Sequence, residues 1–256
     1  MPMSPFLEIA IDAALKAQEV IQRYYRQGFD VEIKSDQTPV TIADLESEKA
    51  IKSTLFGAFP DHGSYGEETG RERMEADHLW LIDPIDGTKS FVRRYPFFST
   101  QIALRREGEL VLGVSNAPEF EEMAYAEAGQ GAFLGGEPIR VSGVTTLEEA
   151  TLSVGNIKTL AGGSGWQGLG EIVQRVNRTR GYGDFYHYHL LASGRIDLVV
   201  ESDVNILDIA ALSVVVREAG GVFTDLQGRP LTLETTSVLA AATPELHAAA
   251  LERLNP

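Results

Sequence analysis

The sequence contains no cysteine. That excludes disulfide staples, thiolate nucleophiles, and zinc or iron–sulfur centres held by sulfur. Positive charge is scarce as well: 22 Lys and Arg stand against 37 Asp and Glu, a formal net charge of -15. A nucleic acid or an anionic membrane calls for basic patches, so neither is expected as a partner. No stretch approaches the about 18 consecutive apolar residues that suggest a membrane-spanning helix. The opening Met1-Pro2-Met3-Ser4-Pro5 lacks the basic region and apolar run of a secretory leader, which makes a cytoplasmic location the expectation.

What remains is an ordinary globular composition. With 43% hydrophobic residues over a length of 256, the chain can bury a sizeable core, as one large domain or two packed lobes. No repeat, low-complexity tract or evident linker interrupts it. From Phe6 to Tyr25 the apolar residues Leu7, Ala10, Ile11, Ala14, Leu15, Val20, Ile21 and Tyr24 recur at helical spacing. After the polar segment Lys34 to Pro39, a second helix is predicted from near Thr41 towards Phe59, with Thr41 and Asp44 at capping-box spacing.

The middle of the chain reads as strands at Trp80–Ile82, Ser99–Leu104, Glu109–Val114 and Met123–Tyr125, with hairpin turns at Arg106-Glu107-Gly108 and Gly135-Gly136. Beyond about Val141 strands and helices alternate: a strand at Thr151–Val154, a helix near Trp166–Val176, another ending at Gly194, a strand at Ile196–Val200, and a helix from Asp208 to Ala219 stopped by Gly220-Gly221. This order predicts an α/β protein with an α+β first half, residues 1–140, and an α/β second half, residues 141–256.

Trp80-Leu81-Ile82 leads straight into Asp83-Pro84-Ile85-Asp86-Gly87-Thr88, so two carboxylates emerge together from a buried strand. Pro84 stiffens the exit, and Gly87 leaves room for a group approaching the backbone. Taken alone, the hexapeptide also fits an ordinary Asx turn. Asp44 also fits a carboxylate facing a helix dipole, Asp208 a helix cap, and the pair Glu67-Glu68 a solvated surface. Because the chain is poor in Lys and Arg, divalent cations held by carboxylates are a natural source of positive charge for a phosphate substrate.

In order along the chain, Thr38-Pro39-Val40-Thr41-Ile42-Ala43-Asp44, Gly66-Glu67-Glu68, Trp80 to Thr88, Gly131-Ala132-Phe133, and Asp208 followed by Glu218-Ala219-Gly220-Gly221 resemble the inositol monophosphatase family. The resemblance implies a layered αβαβα sandwich, usually dimeric. It also implies Mg2+-dependent hydrolysis of a small phosphorylated metabolite, inhibited by lithium in many members.

Carried over residue by residue, it assigns Glu67, Asp83 and the Ile85 carbonyl to one Mg2+, and Asp83, Asp86 and Asp208 to a second. Asp44 and Thr88 would orient the attacking water, with Asp44 and Glu67 near a weaker third ion. The backbone N–H groups of Gly87 and Thr88 would receive phosphate oxygens. Such ions can acidify a water and stabilise the leaving oxygen, so Thr88 is read as a water-positioning group and not a nucleophile. A mobile segment from Lys34 to Pro39 follows from the resemblance alone.

The segment Gly181-Tyr182-Gly183-Asp184-Phe185-Tyr186-His187-Tyr188 resembles the histidinol-phosphatase branch of that family. Asp184 with Glu201 could receive the substrate's ammonium through charge-assisted hydrogen bonds, although Asp184 also fits a helix cap. His187 and Tyr186 are read as packing residues, His62 as solvent-facing, and Lys89, Arg93 and Arg94 as surface charges. Leu207 stands where many relatives have Trp, with a change of packing behind Asp208 expected. The leading expectation is hydrolysis of L-histidinol phosphate. An inositol 1-phosphate or broad sugar phosphatase is the alternative enzyme, and a metal- and phosphometabolite-binding regulator the non-catalytic one.

Overall fold

The computed structural model describes residues 3–27, 31–33 and 39–255. Residues 34–38, and with them most of the expected mobile segment and Thr38 of the first motif, lie outside the described residues. Helix α1 (Pro5–Gln27) is followed by an antiparallel pair, β1 (Val31–Ile33) and β2 (Pro39–Thr41), and by helix α2 (Ile42–Ala58). Next come β3 (Gly63–Gly66), β4 (Gly70–Glu72), β5 (His78–Asp86), the short α3 (Thr88–Val92), β6 (Ser99–Arg106), β7 (Glu109–Ala117), β8 (Glu122–Glu127), β9 (Ala132–Leu134) and β10 (Glu137–Ile139). The remainder carries β11 (Thr151–Val154), α4 (Lys158–Ala161), α5 (Gly165–Arg175), β12 (Arg178–Arg180), α6 (Asp184–Ala192), β13 (Leu198–Ser202), α7 (Ile206–Glu218), β14 (Val222–Thr224), β15 (Ser237–Ala241) and α8 (Pro244–Leu254).

Strands β3 to β10 form an eight-stranded sheet in the order β10-β9-β8-β7-β6-β5-β3-β4, antiparallel except where β3 runs parallel to β5. A second, five-stranded sheet has the order β12-β11-β13-β15-β14. Helices α1 and α2 cover one face of the first sheet, α6 and α7 lie between the sheets, and α4, α5 and α8 cover the far face of the second. The result is a layered helix-sheet-helix-sheet-helix sandwich.

Strand alternation explains the layering. On β5, Trp80 and Ile82 point to the core shared with α1 and α2, while Leu79 and Leu81 point to the core shared with α6 and α7. On β13, Val199 faces the middle layer, and Leu198 and Val200 face the outer one. Successive side chains of a strand lie on opposite faces, so a strand buried on both sides reads as a continuous apolar run. Helix α1 buries the stripe Leu7, Ala10, Ala13, Ala14, Ala17 and Ile21 on one side. Helix α7 is buried nearly all round, from Ile206 to Val216, as its central position requires.

The sequence pattern locates the longer elements from α1 to α7 to within a few residues, gives no signal for most of the short strands nor for β15 and α8, and misplaces three boundaries and one side chain. Strand β5 does not stop at Ile82 but runs on through Asp86, and β13 ends at Ser202, so Glu201 lies inside it. Helix α7 begins at Ile206, two residues before Asp208. His62 is not solvent-facing: it is half-buried, accepts a hydrogen bond from Trp80 Nε1 at 3.0 Å on Nδ1, and stacks on Phe59 and His78. The turn between β6 and β7 is as expected, with φ of 50° at Glu107 and 93° at Gly108 matching the twist of the flanking strands. No helix among the described residues is long and apolar enough to cross a membrane.

Candidate active site

The site is built on an irregularity in β5. Asp83 pairs with Gln101 of β6 and Asp86 with Ser99, so three steps along β5 are matched by two along β6. In a regular strand, residues three apart point to opposite faces. The extra residue of this bulge restores the phase and lets both carboxylates serve one site. Pro84 sits in the bulge, where its missing N–H breaks no ladder bond, and its carbonyl accepts Thr100 Oγ1 at 2.9 Å. Gly87 then turns the chain with φ of 89°, and a Cβ there would lie 2.4 Å from the Phe97 carbonyl oxygen. Glycine is required on both counts.

Asp208 comes to the same place from the start of α7. Its Oδ2 accepts the Asn205 N–H at 2.8 Å and its Oδ1 accepts Asn205 Nδ2 at 2.6 Å, a capping box that fixes the carboxylate. Leu207 beside it is buried in the middle core. Oxygen atoms of Asp83, Asp86 and Asp208 lie within 4.8 Å of one another. Asp83 is 2% exposed, and its Oδ1 accepts the Ile85 N–H at 3.0 Å.

Burial, reinforced by Glu67, Asp86 and Asp208, holds the Asp83 carboxyl well above the usual range; burial, reinforced by Asp208, Asp184, Glu201 and Glu67, does the same to Asp86. Asp208 is pushed up to about 7, chiefly by burial and then by the charges of Glu67 and Glu201. Three convergent, mutually repelling oxygen ligands without nitrogen or sulfur among them suit a hard divalent cation such as Mg2+.

Glu67 follows β3, its N–H bonded to the Ile82 carbonyl at 3.1 Å. It is not one of the trio within 4.8 Å, but its carboxylate shares a hydrogen bond with Asp83 and its charge acts on Asp44, Asp86 and Asp208. Asp44 is fully buried near the start of α2 and completes a capping box with Thr41, whose N–H and Oγ1 donate to its Oδ2 at 2.7 and 2.6 Å. Burial first, and Glu67 with it, raises Asp44 to about 6. Thr88 Oγ1 lies 3.0 Å from the Ile85 carbonyl oxygen and 3.4 Å from Asp44 Oδ1, and its single hydrogen serves one of them at a time. Thr88 is the first residue of α3, whose first turn closes on the Gly87 carbonyl.

The second pair also reaches the site. Asp86, Asp184, Glu201 and Asp208 line one small cavity of ≈ 30 Å³ with Asn156, Tyr188, Val204, Ile209 and Leu212. Asp184 opens α6 but makes no capping hydrogen bond; Gly183 holds the cap position. Burial and the neighbouring Glu201 raise Asp184 to about 6, against the opposing charges of His187 and Lys89. Lys89 is therefore near enough to act on the site although its side chain is exposed.

Glu201 is 3% exposed and held from several sides: Asn156 N–H donates to Oε1 at 3.0 Å, Tyr188 Oη donates to Oε2 at 2.8 Å, and His187 Nε2 lies 3.2 Å from Oε2 outside hydrogen-bond geometry. A Cβ on Gly155 would lie 1.9 Å from Glu201 Oε1, so this glycine makes the close approach possible. Asn156, Tyr188 and Gly155 escape a reading of the sequence, because nothing in their local pattern points at a residue 45 positions or more downstream, or in the case of Tyr188 across from α6 to β13.

The sequence profile of the inositol monophosphatase family matches residues 2–255. The chain is 35% identical to the histidinol-phosphatase of Chlorobaculum parvum over 93% of this chain and 93% of that protein. It is 39% identical to the histidinol-phosphatase of Mycobacterium tuberculosis over 87% of this chain and 88% of that protein. Among solved structures, the extragenic suppressor protein SuhB of Bartonella henselae superposes with a TM-score of 0.90, at 30% identity over 98% of this chain and 99% of that one. The bulged aspartate strand, the capped aspartates and the full-length match together lead to one assignment: the chain belongs to the inositol monophosphatase family, and it is a phosphatase of that metal-dependent family, whose members typically use Mg2+ and act on small phosphorylated substrates.

Proposed function

We propose that the protein hydrolyses L-histidinol phosphate to L-histidinol and phosphate. One observation carries the choice of substrate. Asp184 and Glu201 line a cavity of ≈ 30 Å³ that is continuous with Asp86 and Asp208. That volume takes one water-sized group. A substrate ammonium has this size, donates three hydrogen bonds, and would offset the burial and the Glu201 charge that together raise Asp184. The kinship with two histidinol-phosphatases supports the same reading.

In this proposal Glu67, Asp83, Asp86, Asp208 and the Ile85 carbonyl hold the Mg2+ ions. When bound, these ions neutralise phosphate charge and acidify a nearby water. Asp44 and Thr88, with Thr88 Oγ1 3.4 Å from Asp44 Oδ1, would orient the attacking water. The amides of Gly87 and Thr88, at the start of α3, receive phosphate oxygens. Asp184 and Glu201 take the ammonium, with Tyr188 and Asn156 fixing Glu201.

A panel of phosphate monoesters assayed with and without Mg2+ tests this. The kcat/KM for L-histidinol phosphate should far exceed that for inositol 1-phosphate, and Asp184→Ala should shrink the difference. Equal or better turnover of inositol 1-phosphate would replace the reading with an inositol or broad sugar phosphatase. Ligand binding without Mg2+-dependent phosphate release would replace it with a non-catalytic regulator.

A further inference from the structure

We propose that Glu48 is a positioning residue for the metal site: from inside helix α2 it grips the backbone that carries Glu67 and so sets that ligand's reach. The inference rests on Glu67 being a metal ligand, as proposed above. Glu48 lies one helical turn beyond Asp44, on the same side of α2, and is fully buried. Its carboxylate accepts three donors from the two residues that follow Glu67. The Glu68 N–H donates to Oε2 at 2.7 Å, and the Thr69 N–H donates to Oε1 at 3.1 Å. Thr69 Oγ1 donates to the same Oε1.

Two further contacts tighten this hold. Gly66 packs so closely against the carboxylate that a Cβ there would lie 2.2 Å from Glu48 Oε1. One turn further along α2, Lys52 Nζ donates to Thr69 Oγ1 at 3.0 Å and pairs with Glu72 at 2.7 Å. Residues 44, 48 and 52 thus form one ridge: the first faces the reacting centre, and the other two clamp the segment around Glu67.

A metal ligand on a connecting segment needs its backbone fixed to within about half an ångström, which a strand end alone does not ensure. Glu67 has the Ile82 carbonyl on one side, through its N–H, and the Glu48 carboxylate on the other, through its two successors. Asp44 and Glu67 are consequently referenced to a single rigid helix. Movement of α2 would shift both together.

Glu48→Gln tests the role. It keeps the side-chain volume but puts an NH2 group where an oxygen now receives a donor. Mg2+ binding to the full chain, freed of metal and titrated calorimetrically, should weaken by about 10-fold or more, the range typical of groups that orient metal ligands. The Mg2+ concentration needed for half-maximal kcat should rise in parallel, with substrate KM at saturating Mg2+ unchanged. Thr69→Val, which removes one donor and leaves the two amides, should shift Mg2+ affinity in the same direction by less, and it decides the matter if Glu48→Gln does not fold. Wild-type Mg2+ affinity in the folded variant would overturn the inference. Glu67→Gln is the control: if it too binds Mg2+ as the wild type does, the ligand assignment has failed; if it alone weakens binding, only the role of Glu48 has.

Discussion

Asp44 and Asp208 hold equivalent positions on two different helices. Each is the third residue of its helix and closes a capping box, the first with Thr41 and the second with Asn205. In each case the carboxylate accepts the N–H of the residue before the helix, at 2.7 and 2.8 Å. The capping interaction orients the side chain without occupying all its acceptor positions, since a carboxylate offers about four. A local helix signal therefore doubles as a means of aiming an acid at the site.

Asparagine at either position keeps an acceptor for the cap and removes a buried charge. Asp208→Asn and Asp44→Asn should each abolish most Mg2+-dependent phosphate release. In the metal-free protein they should leave the melting temperature unchanged or raise it by a few degrees, about 2–4 °C per kcal/mol in a chain of this size. Parallel melting curves and phosphate-release assays check this. A clear fall in melting temperature would mean that the cap, and not charge relief, dominates.

The raised carboxyls make the metal-free protein sensitive to pH in a defined direction. Asp44 and Asp208 ionise at about 6 and about 7 in the folded chain, against 3.8 in the ordinary case. Below the ordinary value both states are protonated, and the cluster has no effect on stability. As pH rises through it the unfolded chain ionises first, and stability falls until the folded groups have ionised too. Bound Mg2+ favours the ionised forms, so the rise in melting temperature it causes should be larger at pH 8 than at pH 5. Equal increments at the two pH values would contradict the shifts.

Asp83→Asn should harm catalysis far more than Glu68→Gln. Asp83 is buried within the carboxylate trio, whereas the neighbouring Glu68 contributes its backbone N–H, which the substitution leaves intact. The expected loss for Asp83→Asn exceeds the about 10–100-fold typical of groups that merely orient ligands. Glu68→Gln should cost far less in kcat, because the N–H that anchors the segment to Glu48 Oε2 survives the substitution. Comparable losses in kcat would show that Glu68, and not Glu67, is the acid in use.

Tyr188→Phe removes the 2.8 Å hydrogen bond to Glu201 Oε2 and leaves the ring in the core. That bond fixes the orientation of Glu201 towards the cavity, so discrimination for the ammonium-bearing substrate should fall several-fold, about 1 kcal/mol for the hydrogen bond lost. The comparison is the ratio of kcat/KM for L-histidinol phosphate and inositol 1-phosphate. An unchanged ratio would remove Glu201 from substrate selection.

Much of the fold was legible because periodicity survives in long elements. The stripe of α1, the continuous apolar run of β5 and the turn at Glu107-Gly108 each carry a local signal. The short strands β4, β12 and β14 do not, since three residues give no period to detect. The burial of His62 leaves no local signal for a related reason. Its burial comes from Phe59, His78 and Trp80, which only folding assembles around it.

Composition and local pattern set the chemistry available: oxygen ligands and no thiols, two aspartates three residues apart just beyond an apolar strand, and further acids at helix starts. Only the tertiary structure decided which of those acids cooperate. A bulge in β5 puts Asp83 and Asp86 in phase, two capped helices bring in Asp44 and Asp208, and the sandwich sets Asp184 and Glu201 beside them. The physical reason is that coordination and charge coupling depend on separations of a few ångströms, between groups that lie tens to more than a hundred residues apart in the chain.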